Sequence, residues 1–300
     1  MGIETEIQQL KQQRQALILA HNYTLPEIQD AADFVGDSLE LSVRARDCQA
    51  PLIVFCGVRF MAETAKILSP DSVVLHPNPR AGCPMADMAE VPAVERYRRD
   101  NPGTVLLAYV NTTAAVKTMV DICCTSGNAE AVLKSIPAGQ KIMFLPDANL
   151  GRNLSAKLAR PMELWPGFCP THNRITPEII RKAQSQWPGA LTLVHLECHP
   201  SVVALADQAL STGGMLKYAR SAASKRFIIG TESGLVYRLK KENPDKEFLT
   251  LSPEPLCPNM KKISLDDVLF ALRDLAPAVE LPGEVIEKAR RPIEKMLAMK

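Results

Sequence analysis

The feature that most constrains this chain is a period. Three apolar runs rich in β-formers, residues 16–23 (ALILAHNY), 104–111 (TVLLAYVN) and 191–198 (LTLVHLEC), carry near their ends two polar side chains spaced two apart. The pairs are His21 and Tyr23, Tyr109 and Asn111, and His195 and Glu197. Tyr109 lies 88 residues after His21, and His195 86 residues after Tyr109. A helical stretch and a short polar hinge follow each run: Gly36-Asp37-Ser38, Thr125-Ser126-Gly127 and Ser211-Thr212-Gly213. Next comes a second apolar run, at 52–56, 142–145 and 227–230, then a helix and a third strand, at 72–75, 163–165 and 247–251. Each copy closes on Cys-Pro: Cys83-Pro84, Cys169-Pro170 and Cys257-Pro258. Landmarks that recur in one order at nearly one spacing specify three copies of a single unit.

Short strands alternating with helices argue for parallel strands covered by helices on both faces. The expected fold is therefore α/β: three homologous three-layer αβα units with short parallel sheets around a pseudo-threefold axis. The units span residues 1–86, 87–172 and 173–262. Residues 3–15 are expected to be helical. The tail, 263–300, is expected to form two helices, starting near Ser264 and at 284, that pack on the first unit. The hinges hold Ser, Thr, Asp and Gly, which cap helix N-termini, and open helices at 39–48, 128–135 and 215–221. Ligands bind at the carboxyl ends of parallel strands. The polar pairs, the hinges and the Cys-Pro turns all follow strands, so each unit presents its chemistry on one edge.

Composition narrows the function. Aromatics are 5% of the chain, too few for a base-stacking surface. A net charge of +2 without a dense Lys/Arg run gives no footprint for a nucleic acid or other polyanion. Residues 1–15 are polar, with no apolar core of a signal peptide. No apolar run reaches the roughly 18 residues of a membrane span. The expectation is a cytoplasmic protein whose eight cysteines are reduced thiols. Cys48, Cys56, Cys123, Cys124 and Cys198 read as small buried hydrophobes.

Cys83, Cys169 and Cys257 are different, because the repeat makes them equivalent. Three edges facing one axis would bring three thiols together. Structural zinc favours four closed ligands, usually in close pairs. Three converging thiolates better suit a cubane iron–sulfur cluster, with three irons anchored and one open. The proline after each cysteine fixes its own φ and stiffens the ligand turn. An open iron is a Lewis acid, which favours catalysis over electron transfer. His172, three residues after Cys169, is a competing ligand or, preferably, a substrate-side donor.

Across nearly its whole length the sequence resembles the quinolinate synthase A family. The likeness rests on His21-Asn22-Tyr23, Gly36-Asp37-Ser38-Leu39, the segment from Cys56 through Arg59-Phe60-Met61 to Glu63-Thr64, and Gly82-Cys83-Pro84-Met85. It continues in Tyr109-Val110-Asn111, Thr125-Ser126-Gly127-Asn128, Leu145-Pro146-Asp147 and Gly167-Phe168-Cys169-Pro170-Thr171-His172. His195-Leu196-Glu197-Cys198, Ser211-Thr212, Gly230-Thr231-Glu232 and Cys257-Pro258-Asn259-Met260-Lys261 complete it. Leu196 stands where the family typically has proline, and the extra cysteines that some members carry near the last ligand are missing. The resemblance implies condensation of iminoaspartate with dihydroxyacetone phosphate to quinolinate, phosphate and water, in NAD biosynthesis. It also implies a [4Fe–4S] cluster on three cysteines, and an L-aspartate oxidase or dehydrogenase as supplier of the imine.

Such a reaction calls for anion sites, acid/base groups and a Lewis acid. Ser38, Ser126, Ser211 and Thr212 sit at expected helix N-termini, which suit phosphate and carboxylate. Tyr23 and Glu197 are the expected proton handlers, assisted by His21 and His195. Tyr109 and Asn111 are expected to grip substrate carboxylates, and Met61, with Phe60, to line the pocket. Glu63, Asp87 and Asp147 read as structural carboxylates. Three other readings compete: a non-catalytic Fe–S redox protein, a hydro-lyase of the aconitase type, and a zinc hydrolase.

Overall fold

A computed structural model describes residues 2–299. It opens with α1 (Ile3–Gln13), β1 (Ala16–His21), α2 (Pro26–Ala31), β2 (Phe34–Gly36), α3 (Ser38–Asp47), β3 (Leu52–Cys56), α4 (Arg59–Leu68), β4 (Val73–Leu75) and α5 (Pro84–Asp87). There follow α6 (Val91–Asp100), β5 (Val105–Tyr109), α7 (Ala114–Lys117), β6 (Ile122–Cys124), α8 (Ala129–Ser135), β7 (Ile142–Leu145), α9 (Ala148–Leu158), β8 (Glu163–Leu164) and α10 (Pro170–Asn173). The third stretch is α11 (Pro177–Gln186), β9 (Leu191–His195), α12 (Pro200–Val203), β10 (Gln208–Leu210), α13 (Thr212–Ser221), β11 (Arg226–Gly230), α14 (Gly234–Glu242) and β12 (Glu247–Thr250). The tail adds α15 (Leu265–Asp274) and α16 (Gly283–Leu297).

The strands form three four-stranded sheets of one topology: β2-β1-β3-β4, β6-β5-β7-β8 and β10-β9-β11-β12. All pairings are parallel. Helices cover both faces, so the inner strands read as unbroken apolar runs; every residue of β3 and of β7 is buried. The repeat pattern shows three strands per unit. The structure has a fourth, the edge strand β2, β6 or β10, lying just before the hinge. At three residues each, these strands are too short to show a period.

The edge strands set the site. β2 pairs with β1 so that Gly36 lies beside His21, β6 with β5 so that Cys124 lies beside Tyr109, and β10 with β9 so that Leu210 lies beside His195. Each hinge therefore emerges next to a polar pair. The first hinge starts α3 with a capping box, in which Asp37 accepts from the amides of Leu39 and Glu40. The third starts α13 with a Ser211 cap. The hinges also meet one another. A Cβ built on Gly213 would sit 2.7 Å from Asp37 Oδ2, so only glycine allows that approach. The corresponding position on Gly127 lies 3.6 Å from both Leu39 and Ser211. One apolar core runs through all three sheets and includes Leu19, Phe55, Leu107, Phe144, Leu193 and Phe227.

The tail departs from expectation. α15 packs on α1 and β3, in the first unit as expected. α16 instead packs mainly on β6 and α7 of the second unit, and touches α4 of the first. The reason is its apolar stripe. Ala289, Ile293, Met296 and Leu297 are buried in a cluster with Ile67, Leu106, Val116 and Cys123, each worth about 1–3 kcal/mol when buried. Asn128 Nδ2 fixes the end of α16 by donating to Met296 O at 2.9 Å. Among the described residues, no helix is long and apolar enough to cross a membrane.

Candidate functional site

The carboxyl ends of the strands converge on a cavity of about 220 Å³. His21, Tyr23, Ser38, Met61, Cys83, Tyr109, Asn111, Ser126, Cys169, His172, His195, Glu197, Thr212 and Cys257 line it. Ser211 does not; its hydroxyl accepts from the Gly214 amide at 3.1 Å and caps α13. The neighbouring Thr212, one step further round the helix, faces the cavity instead. Thr212 Oγ1 accepts from Asn22 Nδ2 at 3.0 Å, which leaves its own hydrogen free for a ligand.

The three candidate ligand cysteines share one local design. Cys83 and Cys169 are the residues before α5 and α10, each followed by proline at the first helical position. Backbone amides two and three residues on point back at the sulfurs: Met85 and Ala86 at Cys83, His172 at Cys169, Asn259 and Met260 at Cys257. Amides aimed at sulfur suit a thiolate ligand. Without a cation the thiols stay protonated: burial pushes Cys83 up to about 12 and raises Cys169 and Cys257 as well. Among the described residues the three sulfurs are not grouped within 4.8 Å. A single tetrahedral zinc would draw them to roughly 3.8 Å of one another, given Zn–S bonds of about 2.3 Å. The donor set therefore fits a larger thiolate-bound group better than one ion. Of the remaining cysteines, Cys56, Cys123, Cys124 and Cys198 are buried, and Cys48 is half-buried with its thiol on Ala45 O.

One set does fall within 4.8 Å: Cys169, His172 and Glu197. Here His172 Nδ1 lies 2.8 Å from Glu197 Oε2 and 3.2 Å from Cys169 Sγ. A single ring nitrogen serves both neighbours, which is the geometry of a shared hydrogen. Glu197 is the centre of a longer chain. Its Oε1 accepts from the Tyr109 hydroxyl at 2.5 Å. His172 Nε2 lies 2.8 Å from Thr231 Oγ1, and Thr231 Oγ1 lies 2.6 Å from the Tyr23 hydroxyl. In the tautomer whose Nδ1–H donates to the Glu197 carboxylate, Nε2 of His172 is an acceptor. Thr231 then donates to His172 and accepts from Tyr23.

Electrostatics keeps these groups in defined states. Burial alone would raise the Glu197 carboxyl; the hydrogen bonds it accepts from His172 and Tyr109 act the other way and hold it low, the more strongly whenever the His172 or His195 ring is protonated. Burial and the Glu197 charge raise both Tyr23 and Tyr109 well above 10, so both remain neutral donors. Burial lowers His21 to about 3 and His195 to about 4. Their tautomers are set locally: Nδ1 of His21 accepts from the Tyr23 amide and Nδ1 of His195 from the Glu197 amide, both at 3.2 Å. Nε2–H is then the free donor of each ring, and that of His195 reaches Ser126 Oγ at 3.2 Å. Asn111 Oδ1 is buried and has no partner, as expected of an atom waiting for a ligand.

Sequence reasoning passed over three members of the site. Thr231 joins Tyr23 to His172. Glu232, fully buried, accepts from the Cys257 amide at 3.1 Å and pairs with Lys261 at 2.9 Å. Lys261 Nζ also holds Tyr23 O at 2.6 Å. The available signal was position: Thr231 and Glu232 directly follow β11, at the same ligand-facing edge as the polar pairs. Asp147 directly follows β7 and caps α9 through the Asn149 and Leu150 amides; Glu63 holds the Ala114 amide at 2.9 Å and pairs with Arg59. Asp87 is exposed.

Comparison with known proteins points the same way. The family described as Quinolinate synthetase A protein matches residues 5–298. A quinolinate synthase of Geotalea uraniireducens (strain Rf4) is 49% identical over 297 residues, covering 99% of this chain and 97% of that protein. One from Pelobacter propionicus (strain DSM 2379 / NBRC 103807 / OttBd1) is 49% identical over 300 residues, with 99% and 98% covered. One from Thermodesulfovibrio yellowstonii (strain ATCC 51303 / DSM 11347 / YP87) is 48% identical over 295 residues, with 98% and 97% covered.

Proposed function

The chain belongs to the quinolinate synthetase A family, and we propose that it condenses iminoaspartate with dihydroxyacetone phosphate to give quinolinate, phosphate and water. What supports this beyond the family is one observation: three Cys-Pro turns, one per repeat, share a cavity with the Glu197-centred chain of hydrogen bonds. Cys83, Cys169 and Cys257 would hold a [4Fe–4S] cluster. When bound, it supplies an iron free of protein thiolate as a Lewis acid for the substrate.

The chain's own residues bind anions and move protons. The Nε2–H of His21, with the hydroxyls of Ser38, Ser126 and Thr212, offers donors to phosphate and carboxylate, and the Nε2–H of His195 orients the Ser126 hydroxyl. The unpartnered Asn111 Oδ1 can accept from the imine N–H. As the hydrogens are arranged, the network conducts in one direction. The Tyr23 proton moves to Thr231, the Thr231 proton to His172 Nε2, and the Nδ1 proton to Glu197 Oε2. Tyr23 thus takes a proton from substrate as it passes its own along, and never stands as a phenolate. Glu197 then holds the proton that a departing hydroxyl needs. Dehydration at Glu197 and deprotonation at Tyr23 are coupled through Thr231 and His172.

Iminoaspartate is an easily hydrolysed imine, so an L-aspartate oxidase or dehydrogenase is its natural source. Eight unpaired cysteines are in keeping with a reducing, cytoplasmic setting. The test is anaerobic reconstitution with iron and sulfide, followed by assay of quinolinate from both substrates. Failure to form quinolinate with a full cluster refutes the reading, and hydration activity in its place would favour an aconitase-type hydro-lyase. Tyr23→Phe and Glu197→Gln should keep the cluster and lose at least about 100-fold in rate, the usual scale of acid–base catalysis. Near-normal turnover in both would remove them from the mechanism.

A further inference from the structure

The carbonyls on either side of Tyr23, those of Asn22 and Thr24, both accept from one buried amide nitrogen, Gln29 Nε2, at 3.1 and 3.0 Å. One repeat later, the carbonyls on either side of Asn111, Val110 O at 2.8 Å and Thr112 O, both accept from Lys117 Nζ. Another repeat later, the carbonyls on either side of Glu197, Leu196 O and Cys198 O, both accept from Asn153 Nδ2 at 2.8 and 2.9 Å. Tyr23, Asn111 and Glu197 are equivalent positions of the repeat, and all three face the cavity.

The donors are not equivalent. Gln29 in α2 and Lys117 in α7 share a repeat position, 88 residues apart. The matching residue 86 further on is Val203 in α12, which has nothing to donate. There the donor comes from α9 of the preceding unit. What recurs is the pair of held carbonyls, supplied by an amide, an ammonium and a second amide from elsewhere. All three donors are buried, and Lys117 is fully buried. The Lys117 ammonium lies 5.4 Å from the Phe60 ring centre and, among the described residues, makes no salt bridge with a carboxylate within 4.0 Å. An uncompensated ammonium is expensive to bury, so plain packing does not account for it.

We infer that Gln29, Lys117 and Asn153 are positioning residues, a threefold set of clamps that fix the backbone on which Tyr23, Asn111 and Glu197 stand. The assignment of those three to substrate rests on the function proposed above; the clamp itself does not. The test compares Lys117→Met, which keeps length but removes the donor, with Lys117→Gln, which installs the donor the first repeat uses. The first readout is amide hydrogen exchange at residues 110–113, which needs no substrate. The second is kcat and KM at equal iron content. Lys117→Met should speed exchange about tenfold, the scale of one lost hydrogen bond, and lower kcat by tenfold or more with little change in KM. Lys117→Gln should recover most of both.

Equal behaviour of the two variants, or wild-type exchange in Lys117→Met, overturns the inference. Should Lys117→Met not fold, Asn153→Leu against Asn153→Gln, read at residues 196–199, decides in the same way. A wild-type protein that makes no quinolinate would refute the proposed function and leave the exchange result to judge the clamp.

Discussion

Thr231→Val is the sharpest probe of the relay. Valine has nearly the shape of threonine but no hydroxyl, so packing is kept and one polar atom is lost. That atom is the contact between Tyr23 at 2.6 Å and His172 Nε2 at 2.8 Å. Both partners are buried, and each left unsatisfied in a dry site would cost about 1–3 kcal/mol. Both also line the cavity, where water can replace part of the loss. A total near 2 kcal/mol is the working figure. At roughly 2–4 °C per kcal/mol for a chain of this order of size, Tm should fall by about 4–8 °C. Catalysis should suffer far more, because the variant severs Tyr23 from Glu197 while leaving both in place. A fall in kcat of about 100-fold is expected, with KM little changed. The assay is anaerobic quinolinate formation normalised to bound iron, with Thr231→Ser as the control that keeps the hydroxyl. Thr231→Val turning over at half the wild-type rate would show that protons do not pass this way. Thr231→Ser falling as far as Thr231→Val would trace the effect to the methyl group.

Cys83→Ser, Cys169→Ser and Cys257→Ser should each lose bound iron and quinolinate formation, whereas Cys48→Ser should lose neither; iron retained at the wild-type level in any of the first three would remove that residue from the ligand set. Stability should fall as pH drops below 6.5. His21 and His195 titrate near 6.5 when unfolded but near 3 and 4 when folded, so in acid the unfolded chain binds more protons and gains. At pH 5 each should cost on the order of 2 kcal/mol relative to pH 7. His76, also lowered by burial, adds in the same sense. The Glu197 carboxylate contributes its own loss only below about 4.5, the ordinary glutamate range, whereas the Asp37, Asp147 and Glu232 carboxyls, raised by burial, act in the opposite sense as they take up protons, so the share of the imidazoles is read from the histidine variants. Urea midpoints at pH 7 and 5 check this, and His21→Gln with His195→Gln should shrink the difference; an unchanged difference would argue against buried neutral rings.

The repeat made the fold legible because three copies speak for each landmark. Where a feature has no local period the sequence was silent. β2, β6 and β10 are too short to alternate, yet their pairing delivers each hinge to its polar pair. α16 shows an apolar stripe, but the surface that receives it exists only once β6, α7 and α4 are assembled. Thr231 meets Tyr23 across 208 residues, and Asn153 serves a loop of the next repeat; neither pairing leaves a trace in spacing. Ser211 and Thr212 are adjacent in one hinge, and only the turn of the helix start decides that one caps and the other faces the cavity. The chemistry, too, lies in how the copies differ. Equivalent positions carry His21, Tyr109 and His195, and then Tyr23, Asn111 and Glu197. A symmetric scaffold thus holds an asymmetric set, with a tyrosine in one copy and a carboxylate in another. No single copy contains both ends of the chain from Tyr23 to Glu197, so the relay can exist only when all three are packed together.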